Sequence, residues 1–379
     1  MSEYIKRYIE KWVREDLDRK MVFIGGPRQT GKTTLAKEMC RRAGFDVKTR
    51  YLTWDAAGDR ENIIREQFPS GPGLLILDEI HKYSRWRQVV KGLFDKRGPE
   101  LQIMVTGSAR LDYYRRGGDS LQGRYHFFRL FPFSLAEVGN RGTGALSDLF
   151  TYGGFPEPFL MQSERESRRW SREYRTRVIR DDLADLENVQ DLGLIESLAL
   201  RLPDLVGSPL SLNALREDLQ VSHQSVARWI GMLENLYLVF RIYPFGAPKI
   251  RAVKKEAKLY MMDWNVVSDK GARFENLVAG HLLKWCFFLQ DVEGREVELR
   301  YFRDIDRREV DFVIVENRKP IWLLECKTKD KGPSLSLKYL KKRFPEAAAL
   351  QILMEGDLDL ETKEGIRICS ASRFLKELA

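Results

Sequence analysis

The chain has 379 residues, of which 43% are hydrophobic and 31% are charged, and its formal net charge is +9. This composition excludes a disordered or fibrous chain, and the length allows two or three domains with separate cores. No stretch approaches the roughly 20 consecutive apolar residues that cross a bilayer, so we expect no membrane association. The four cysteines are scattered along the chain. They argue against a disulfide framework or a structural zinc site and favour a cytoplasmic protein.

The first part of the chain alternates short apolar runs with polar, helix-forming stretches. This pattern is typical of a parallel sheet with crossover helices, and runs such as LLIL indicate strands that are buried on both faces. We therefore predict an α/β fold that begins with a parallel-sheet core over residues 1–145. Its strands are expected at residues 21–25, 47–54, 74–79, 101–108 and 124–131.

Three further segments follow, each with a different pattern of apolar and charged residues. Residues 146–207 have a helical and highly charged pattern, which we interpret as a helical lid or connector. Residues 208–245 contain two short amphipathic helices around a tight turn and then an apolar strand, the pattern of a winged helix. A small module that only packs against its neighbours would show the same pattern. The last unit, 246–379, is expected to contain a helix at 273–290, strands near 295–303, 308–315 and 320–327, a helix near 334–344 and a strand near 348–354.

The second helix of the expected winged helix has one apolar face. Its apolar residues recur at the spacing of one buried stripe on a helix. We therefore expect Val226, Trp229, Ile230 and Leu233 to be buried, and His223, Gln224, Ser225 and Arg228 to point outward.

The sequence GPRQTGKT follows the first expected strand and precedes a helix-forming stretch. It matches the P-loop pattern G-x-x-x-x-G-K-[ST] at every position, in the strand-and-helix context that the motif requires. In a P-loop, backbone N–H groups and the helix N-terminus hold the phosphates of ATP, the lysine reaches the β- and γ-phosphates, and the last hydroxyl ligates Mg²⁺. The predicted ATP-binding residues are Gly26, Pro27, Arg28, Gln29, Thr30, Gly31, Lys32, Thr33 and Thr34, with Lys32 also catalytic and Thr33 also a metal ligand.

Polar residues end the next two strands of the expected sheet. Asp78 would hold the Mg²⁺ through water and Glu79 would polarise the attacking water, although an acidic pair can also simply cap a helix. At the end of the following strand, Thr106 or Ser108 could sense the γ-phosphate. Arg124 is a candidate arginine finger, in this chain or toward a neighbouring subunit of a homo-oligomer, or else an ordinary surface charge.

Two carboxylates and a lysine are expected to converge in the last unit. Glu325 and Lys327 are two positions apart on one strand and therefore share a face. Pairing Val315 with Ile321 across the preceding hairpin fixes a register for the two strands. In that register Asp311 lies opposite Glu325 and on the same face, whereas a slip of one residue would turn Asp311 away.

Converging carboxylates are costly to bury unless a cation neutralises them, and Mg²⁺ commonly takes such oxygen ligands. Asp311 and Glu325 are therefore candidate catalytic residues and metal ligands. Lys327 is a third candidate catalytic residue, which would position a nucleophilic water or the scissile phosphate. Glu275 on the preceding helix is a further candidate metal ligand. The order of elements, with an acid, an Asp and a Glu-x-Lys, resembles the core of the PD-(D/E)XK endonucleases. The same residues could instead form only salt bridges between strands, and a nuclease-like fold need not cleave.

Taken together, the motifs resemble those of the bacterial and archaeal AAA-type ATPases that carry a poorly characterised C-terminal domain. The N-terminal motifs of this resemblance are GPRQTGKTTL, LLILDEIHK, VTGSAR, SLQGR and YGGFPEP. The C-terminal ones are AKLYMMDWNV, GARFENLV, REVDFVI and LLECKT. The resemblance covers nearly the whole chain and implies an AAA-type ATPase core, a winged helix and a PD-(D/E)XK-like domain, without a settled biological role.

Two functions of different classes fit these patterns. The first is an ATP-driven DNA-processing enzyme. In it the winged helix binds duplex DNA, and the cleavage is catalysed with Mg²⁺ by Asp311, Glu325 and Lys327. The excess of positive charge favours this hypothesis, since a basic protein attracts nucleic acid, although many basic proteins bind no acidic partner. The second is a nucleotide-controlled switch, in which the nuclease-like domain is a non-catalytic binding platform.

Overall fold

A computed structural model of the chain describes residues 4–108, 111, 121–139, 142, 144–183, 191–246, 256–330 and 332–378. The chain divides into two compact units, Met1–Pro132 and Phe133–Ala379. Each unit contains its own β-sheet. In the part of the chain that the structure describes, no helix is both long enough and apolar enough to cross a membrane.

The first unit is an α/β fold built on a five-stranded sheet. Its strands are β1 (Met21–Gly25), β2 (Tyr51–Thr53), β3 (Gly73–Asp78), β4 (Leu101–Thr106) and β5 (Tyr125–Arg129). They pair in the order β2-β3-β4-β1-β5, and every pairing is parallel. The described helices are α1 (Glu10–Leu17), α2 (Lys32–Arg42), α3 (Val47–Arg50), α4 (Ala57–Ile64) and α5 (Trp86–Lys96), with a 3₁₀ turn at Ile80–Lys82.

Burial explains why these apolar runs form the centre of the sheet. Every residue of β1 and β3 is buried, as expected for strands that are covered on both faces. Phe23, Leu75 and Val105, from three neighbouring strands, belong to one core cluster with Val90 of α5. This sheet therefore provides a rigid support for the residues at its edges.

The predicted strands of the first unit match the structure with one exception. Residues 47–54 are not a single strand, because Val47–Arg50 is a helical turn and only Tyr51–Thr53 is extended. The Asp46 side chain caps this turn by accepting a hydrogen bond of 3.0 Å from the backbone N–H of Lys48. An aspartate in this position stabilises the start of a helix in competition with the extended form.

The second unit begins with helices and continues into an eight-stranded mixed sheet. The helices are α6 (Leu135–Val138), α7 (Ala145–Tyr152), α8 (Pro156–Met161), α9 (Glu164–Arg177), α10 (Leu192–Arg201), α11 (Leu212–Leu219), α12 (His223–Asn235), α13 (Lys270–Glu293), α14 (Leu335–Arg343) and α15 (Ala371–Phe374). The strands are β6 (Val239–Pro244), β7 (Lys258–Met261), β8 (Val297–Arg303), β9 (Glu309–Glu316), β10 (Lys319–Lys327), β11 (Ala348–Leu353), β12 (Asp359–Glu361) and β13 (Ile366–Ser370). Their order is β12-β13-β11-β10-β9-β8-β6-β7.

The helices and strands expected between 273 and 354 are all present, and β12 and β13 extend the sheet beyond them. At the other edge, β6 pairs in parallel with β8 and antiparallel with β7. Strand β7 therefore lies in the same sheet as the hairpin of β9 and β10, although it is distant from that hairpin in the sequence.

Helices α11 and α12 form the expected pair around a tight turn. Each begins at a serine whose side chain accepts a backbone hydrogen bond, Ser211 for α11 and Ser222 for α12. Gln220, between them, has a φ of 53°, which ends α11 in the left-handed conformation. The four residues predicted to form the apolar stripe of α12 are all buried. Of the residues predicted to point outward, His223, Gln224 and Arg228 are exposed and Ser225 is half-buried.

Candidate functional site

The loop between β1 and α2 carries the P-loop sequence. Gly26 has a φ of 128° and Gly31 a φ of 90°, values that favour glycine. A Cβ at Gly26 would lie 2.5 Å from the carbonyl oxygen of Leu130. The chain therefore requires glycine at Gly26 both for its backbone conformation and for the close approach of the neighbouring strand end.

The N-terminus of α2 faces this loop without a capping side chain. Its N-cap residue is Gly31, and no side chain accepts a hydrogen bond there, so the first N–H groups of α2 are available to an anion. The Lys32 ammonium is buried and donates hydrogen bonds to the carbonyl oxygens of Gly26, at 3.1 Å, and Pro27, at 2.5 Å. The Thr30 hydroxyl also donates to Pro27, at 3.0 Å. The loop thus brings an ammonium and a helix N-terminus together.

Three other residues predicted to bind ATP occupy the same segment. Arg28 and Gln29 are half-buried in the loop, and Thr34 is exposed on α2. Gln29 has a φ of 59°, and its side-chain Oε1 is buried without a hydrogen-bond partner. A buried polar atom in this position is consistent with a binding loop that is completed by a ligand.

The Asp78 carboxylate at the end of β3 is the centre of a hydrogen-bond network. Its Oδ2 accepts hydrogen bonds from the Thr33 hydroxyl, at 2.9 Å, and from the Tyr51 hydroxyl, at 2.6 Å. Its Oδ1 accepts a hydrogen bond of 2.5 Å from the Thr106 hydroxyl. The network joins the start of β2 and the ends of β3 and β4 to the start of α2, and it fixes the orientation of a buried carboxylate.

Sequence reasoning missed Tyr51 and offered Thr106 only as an alternative. Strand β2 lies beside β3, with Thr53 opposite Asp78, so that Tyr51 is close enough for its long side chain to reach the carboxylate. Threonine and aspartate end adjacent strands at Thr106 and Asp78, which are directly paired. The order of strands in a sheet is a non-local property, and only this order shows which strand ends meet.

Glu79 follows Asp78 in an unusual backbone conformation. Its φ is 54°, and its N–H donates a hydrogen bond of 2.8 Å to the carbonyl oxygen of Thr106. Its carboxylate Oε2 lies 3.5 Å from His81 Nε2 and 3.7 Å from Lys82 Nζ. Burial raises the pKa of Glu79, while the Lys82 and Lys32 ammonium groups act in the opposite direction. A left-handed non-glycine residue of this kind is a feature of strained functional sites.

These residues fit ATP and Mg²⁺. The Thr33 hydroxyl and the Asp78 carboxylate are adjacent hard oxygen donors, the ligand type that Mg²⁺ takes beside nucleotide phosphates. The uncapped helix N-terminus and Lys32 supply the positive potential that a polyphosphate needs.

Two further candidates of the predicted ATP site lie in different places. Ser108 is buried two residues beyond β4, and its carbonyl oxygen accepts a hydrogen bond of 3.0 Å from Leu111 N–H.

Arg124 precedes β5 at the opposite end of the parallel sheet. There its carbonyl oxygen accepts a hydrogen bond of 3.0 Å from the N–H of Met21, at the start of β1. Its guanidinium Nε lies 2.8 Å from Asp95 Oδ1. Arg124 therefore does not line the P-loop of its own chain, because the whole of β1 separates the two.

The second unit contains the predicted Glu-x-Lys hairpin. Val313 pairs with Leu323 as expected, but the register shifts between Pro320 and Trp322, so that Pro320 and not Ile321 lies opposite Val315. The bulge is at the turn end of the hairpin, where a proline cannot donate to the ladder.

The carboxylates of this hairpin have separate partners. Asp311 Oδ2 accepts a hydrogen bond of 2.8 Å from the backbone N–H of Cys326. Glu325 is buried, with Oε1 2.9 Å from Lys327 Nζ and Oε2 3.3 Å from the backbone N–H of Ser334. Asp311 and Glu325 are thus on neighbouring strands, but Glu325 is engaged by Lys327 and by the start of α14.

A second lysine lies among the remaining carboxylates. Lys258 Nζ on β7 is 2.6 Å from Glu309 Oε1, 3.4 Å from Glu275 Oε1 and 4.0 Å from Asp311 Oδ1. Burial lowers the pKa of Lys258, but the carboxylates outweigh this effect and raise it overall, so the side chain stays charged. Burial, and then the Glu275 carboxylate, raise the pKa of Asp311 to about 7, with Lys258 acting in the opposite direction.

The predicted metal set of Glu275, Asp311 and Glu325 is therefore not assembled. Among the described residues, no three His, Cys, Asp or Glu side chains converge on a position that could hold a metal ion. The physical reason is that an ammonium group already lies between Glu275 and Asp311, while Glu325 is paired with Lys327. The donor set does not fit a catalytic Mg²⁺.

Comparison with known families separates the chain into three segments. Residues 18–139 match the family described as AAA domain. Residues 143–268 and 270–374 match two families that are each described as a domain of unknown function, DUF8612 and DUF4143. Together with the P-loop, the first match supports an AAA-type domain in the N-terminal part of the chain.

Several similar proteins carry no functional name. An "Uncharacterized protein" of Haemophilus influenzae is 24% identical over 326 residues, which are 76% of this chain and 78% of that protein. One from Mycobacterium tuberculosis is 25% identical over 251 residues, or 64% of this chain and 54% of that protein. One from Methanocaldococcus jannaschii is 24% identical and covers 65% of this chain and 59% of that protein. The match thus spans about half the length of the mycobacterial protein.

Among solved structures, RuvB of Thermotoga maritima matches with 17% identity and a TM-score of 0.33, over 62% of this chain and 88% of that one. The Aeropyrum pernix ORC1 protein in complex with DNA matches with 13% identity and a TM-score of 0.36, over 74% and 95%. TM-scores of this size are too low to support an argument about fold or function, so the assignment of the class depends on the AAA match and on the geometry of the P-loop.

Proposed function

We propose that the chain is a Mg²⁺-dependent ATPase whose nucleotide cycle controls an action on DNA. The observation that carries the ATPase part is the Asp78 network, in which the hydroxyls of Thr33, Tyr51 and Thr106 all donate to one oriented carboxylate. An aspartate of this kind beside a P-loop hydroxyl is the arrangement that P-loop NTPases use to hold Mg²⁺ on a nucleotide.

The residues of the site have distinct roles in this proposal. Lys32 would leave the loop carbonyls to hold the β- and γ-phosphates, while Thr33 and Asp78 would hold the Mg²⁺. The bound metal would neutralise charge that develops on the phosphate oxygens. Glu79 would orient the attacking water and accept its proton, a role that a buried carboxylate with a raised pKa suits.

The DNA part of the proposal is supported by charge and by the pair α11 and α12. The chain has a net charge of +9, and α12 presents Arg228, His223 and Gln224 at its exposed surface. We assign residues 208–245, with α11, α12 and the following strand β6, as a winged helix whose second helix contacts duplex DNA. The segment 146–207 is then the connector between the ATPase domain and this module.

A homo-oligomer would give Arg124 a role that its own chain does not offer. Arg124 is far from the P-loop of its own chain, but as an arginine finger it could reach the nucleotide of a neighbouring subunit. In that state it would exchange Asp95, its present partner, for the γ-phosphate. An arginine supplied across an interface makes ATP turnover depend on protein concentration.

DNA cleavage is not part of this proposal. The strand and helix order from α13 to β11 supports a PD-(D/E)XK-like fold, but Glu275, Asp311 and Glu325 do not converge on one cation position. The second unit would then serve as a binding platform, as in the nucleotide-controlled switch.

The decisive experiment measures ATP turnover by the wild type and by Lys32→Ala, each with and without duplex DNA. The proposal expects Mg²⁺-dependent turnover in the wild type, its loss in Lys32→Ala, and a several-fold stimulation by DNA. If DNA leaves turnover unchanged and the chain binds no DNA at low salt, the ATPase assignment stands and the proposed action on DNA is wrong. A wild type that neither binds nor hydrolyses ATP would overturn the whole proposal.

A further inference from the structure

Lys258 is a charged residue in a fully buried strand position. It begins β7, where it pairs with Ile242 of β6 and forms an isolated bridge with Pro209. Its side chain is 1% exposed. A lysine in such a place is costly unless its charge is compensated, so its partners indicate why the sequence has a lysine there.

The compensation comes from carboxylates on two other elements. Glu275 on α13 and Glu309 and Asp311 on β9 each place an oxygen within 4.0 Å of Lys258 Nζ. The aromatic ring of Tyr301 lies 5.5 Å from the same nitrogen, as a further favourable contact for a cation. The ammonium thus has three acidic side chains near it, at unequal distances of 2.6 Å for Glu309, 3.4 Å for Glu275 and 4.0 Å for Asp311.

The same carboxylates are also held by neutral donors. The Tyr260 hydroxyl donates a hydrogen bond of 2.7 Å to Glu275 Oε1, which is the oxygen that faces Lys258. Asp311 Oδ2 accepts a hydrogen bond from the backbone N–H of Cys326. A metal that bound Glu275 Oε1 or Asp311 Oδ2 would have to compete with these donors.

From this geometry we infer that the Lys258 ammonium is the built-in cation of the Glu275, Glu309 and Asp311 cluster. The C-terminal unit accordingly binds no catalytic divalent metal there and does not cut nucleic acid by metal-dependent hydrolysis. Lys258 instead joins β7 to α13 and β9 through this ion cluster. The inference concerns the second unit alone and does not depend on whether the first unit hydrolyses ATP.

Distance and charge both disfavour a divalent ion beside Lys258. Mg²⁺ binds oxygen at about 2.0–2.1 Å in nearly octahedral geometry, whereas the Glu275 and Glu309 oxygens already face the ammonium, at 3.4 and 2.6 Å. Leaving Lys258 in place beside a divalent ion would bury like charges within a few ångströms of each other, which is strongly unfavourable away from water. Moving Lys258 aside would require a fully buried strand residue to find new partners.

The test measures Mn²⁺ binding by electron paramagnetic resonance on the full chain without nucleotide. The background carries Lys32→Ala and Asp78→Asn, so that the P-loop site does not contribute. We expect the same Mn²⁺ stoichiometry with and without an added Asp311→Asn substitution. If that substitution removes one bound Mn²⁺ per chain, the acidic cluster is a metal site and the inference is overturned.

A second comparison tests the part played by Lys258 itself. Lys258→Met removes the cation and keeps an unbranched side chain that is one atom shorter, and we expect it to gain one bound Mn²⁺ per chain, which Asp311→Asn removes again. A folded Lys258→Met chain that gains no Mn²⁺ would contradict the assignment of Lys258 as the built-in cation.

Should Lys258→Met fail to fold, the thermal unfolding of the background protein decides without any substitution in the second unit. We expect millimolar Mn²⁺ to leave its Tm unchanged. A clear rise in Tm would mean that the folded chain binds the metal, and it would overturn the inference.

A cleavage assay gives a further check. DNA incubated with wild type and Mg²⁺ or Mn²⁺ is expected to stay intact. If the wild type cuts DNA and Asp311→Asn abolishes the cutting, the inference is overturned.

Discussion

The hydroxyl of Thr33 and the carboxylate of Asp78 are 2.9 Å apart, although 45 positions separate them in the chain. The contact connects the first residues of α2 to the end of β3, two strands away from β1 in the sheet order. Both groups are Mg²⁺ ligands in the proposed reaction, so the hydrogen bond that joins them keeps the two ligands close together before the metal arrives. A preorganised pair loses little conformational entropy when it binds.

Tyr51 should control the affinity of the site for Mg²⁺. Its hydroxyl donates to the same Asp78 oxygen that accepts from Thr33. Tyr51→Phe removes one of the donors that orient this carboxylate, and loss of such an outer partner typically costs about 10-fold or more in metal affinity or activity. We expect the Mg²⁺ concentration for half-maximal ATP turnover to rise by about that factor.

The matched control is Tyr83→Phe. The Tyr83 ring stacks on Trp54 at 4.8 Å, so this substitution also deletes a phenol hydroxyl but leaves the Asp78 network intact. Equal Mg²⁺ dependence in Tyr51→Phe and Tyr83→Phe would show that the hydroxyl of Tyr51 does not position Asp78.

Glu79→Gln should separate ATP binding from ATP turnover. The amide cannot accept a proton from water, so we expect kcat to fall by about 100-fold or more, the usual scale for a lost general base. Binding of a fluorescent ATP analogue should remain within a few-fold of wild type, because Lys32 and the P-loop are unchanged. A Glu79→Gln variant that turns over ATP at nearly the wild-type rate would remove Glu79 from the mechanism.

The pH dependence of turnover gives an independent check on Glu79. Because burial raises its pKa, the carboxylate becomes protonated at a higher pH than an ordinary glutamate does. The rate should therefore fall as the pH decreases, and the midpoint of this fall should lie above the usual glutamate value. A rate that stays constant down to the ordinary glutamate range would be inconsistent with this assignment.

The ATP site was largely predictable because its signal is local. A P-loop is a contiguous run of residues between a strand and a helix, and the Asp78–Glu79 pair directly ends a buried apolar strand. Tyr51 and the distance of Arg124 from the P-loop were not predictable in this way. Both depend on which strands are neighbours and at which end of the sheet a residue lies.

The C-terminal cluster was predicted in part for the same reason. The hairpin of β9 and β10 has a short turn, so its pattern placed Asp311 and Glu325 on adjacent strands. Lys258 reaches the cluster from β7, which is separated from β9 in the sheet by β6 and β8. Its one local signal is a lysine at the head of the apolar run KLYM, and such a lysine is more commonly expected at the surface.

Asp263 should make the stability of the second unit depend on pH. It is buried, its Oδ2 accepts a hydrogen bond of 2.5 Å from the Ser171 hydroxyl, and burial raises its pKa to about 6 from 3.8. Because the folded-state pKa is raised, the stabilising contribution is complete below about pH 4 and is lost as the pH rises through about 6.

Asp263→Asn removes this titration. The free energy of unfolding of the variant should increase relative to that of wild type as the pH rises from about 4 to about 6, by up to about 3 kcal/mol. Urea unfolding at a series of pH values measures the difference. Asp204→Asn changes an exposed aspartate of the same unit and serves as the matched control. A difference between Asp263→Asn and wild type that stays constant with pH would show that Asp263 does not titrate in this range.

Arg228 on α12 should contribute to DNA affinity through a phosphate contact. A lost phosphate contact weakens binding to all sequences and lowers the salt dependence, because one fewer counterion is released. For Arg228→Ala we expect weaker binding to any duplex, with the slope of log affinity against log salt reduced by about 1. Fluorescence anisotropy of a labelled duplex over a range of salt concentrations measures both quantities.

Arg216→Ala is the matched control, since it removes an arginine from the other helix of the same pair. The Arg216 guanidinium hydrogen-bonds the Asn213 side chain, at 3.2 Å, and Glu217 Oε1, at 3.3 Å, and it lies on α11, which is not the helix proposed to contact the duplex. Its removal should leave the affinity and the salt slope close to wild type. Equal losses in both variants would indicate a diffuse electrostatic attraction, whereas a loss confined to Arg228→Ala would support α12 as the helix that contacts the duplex.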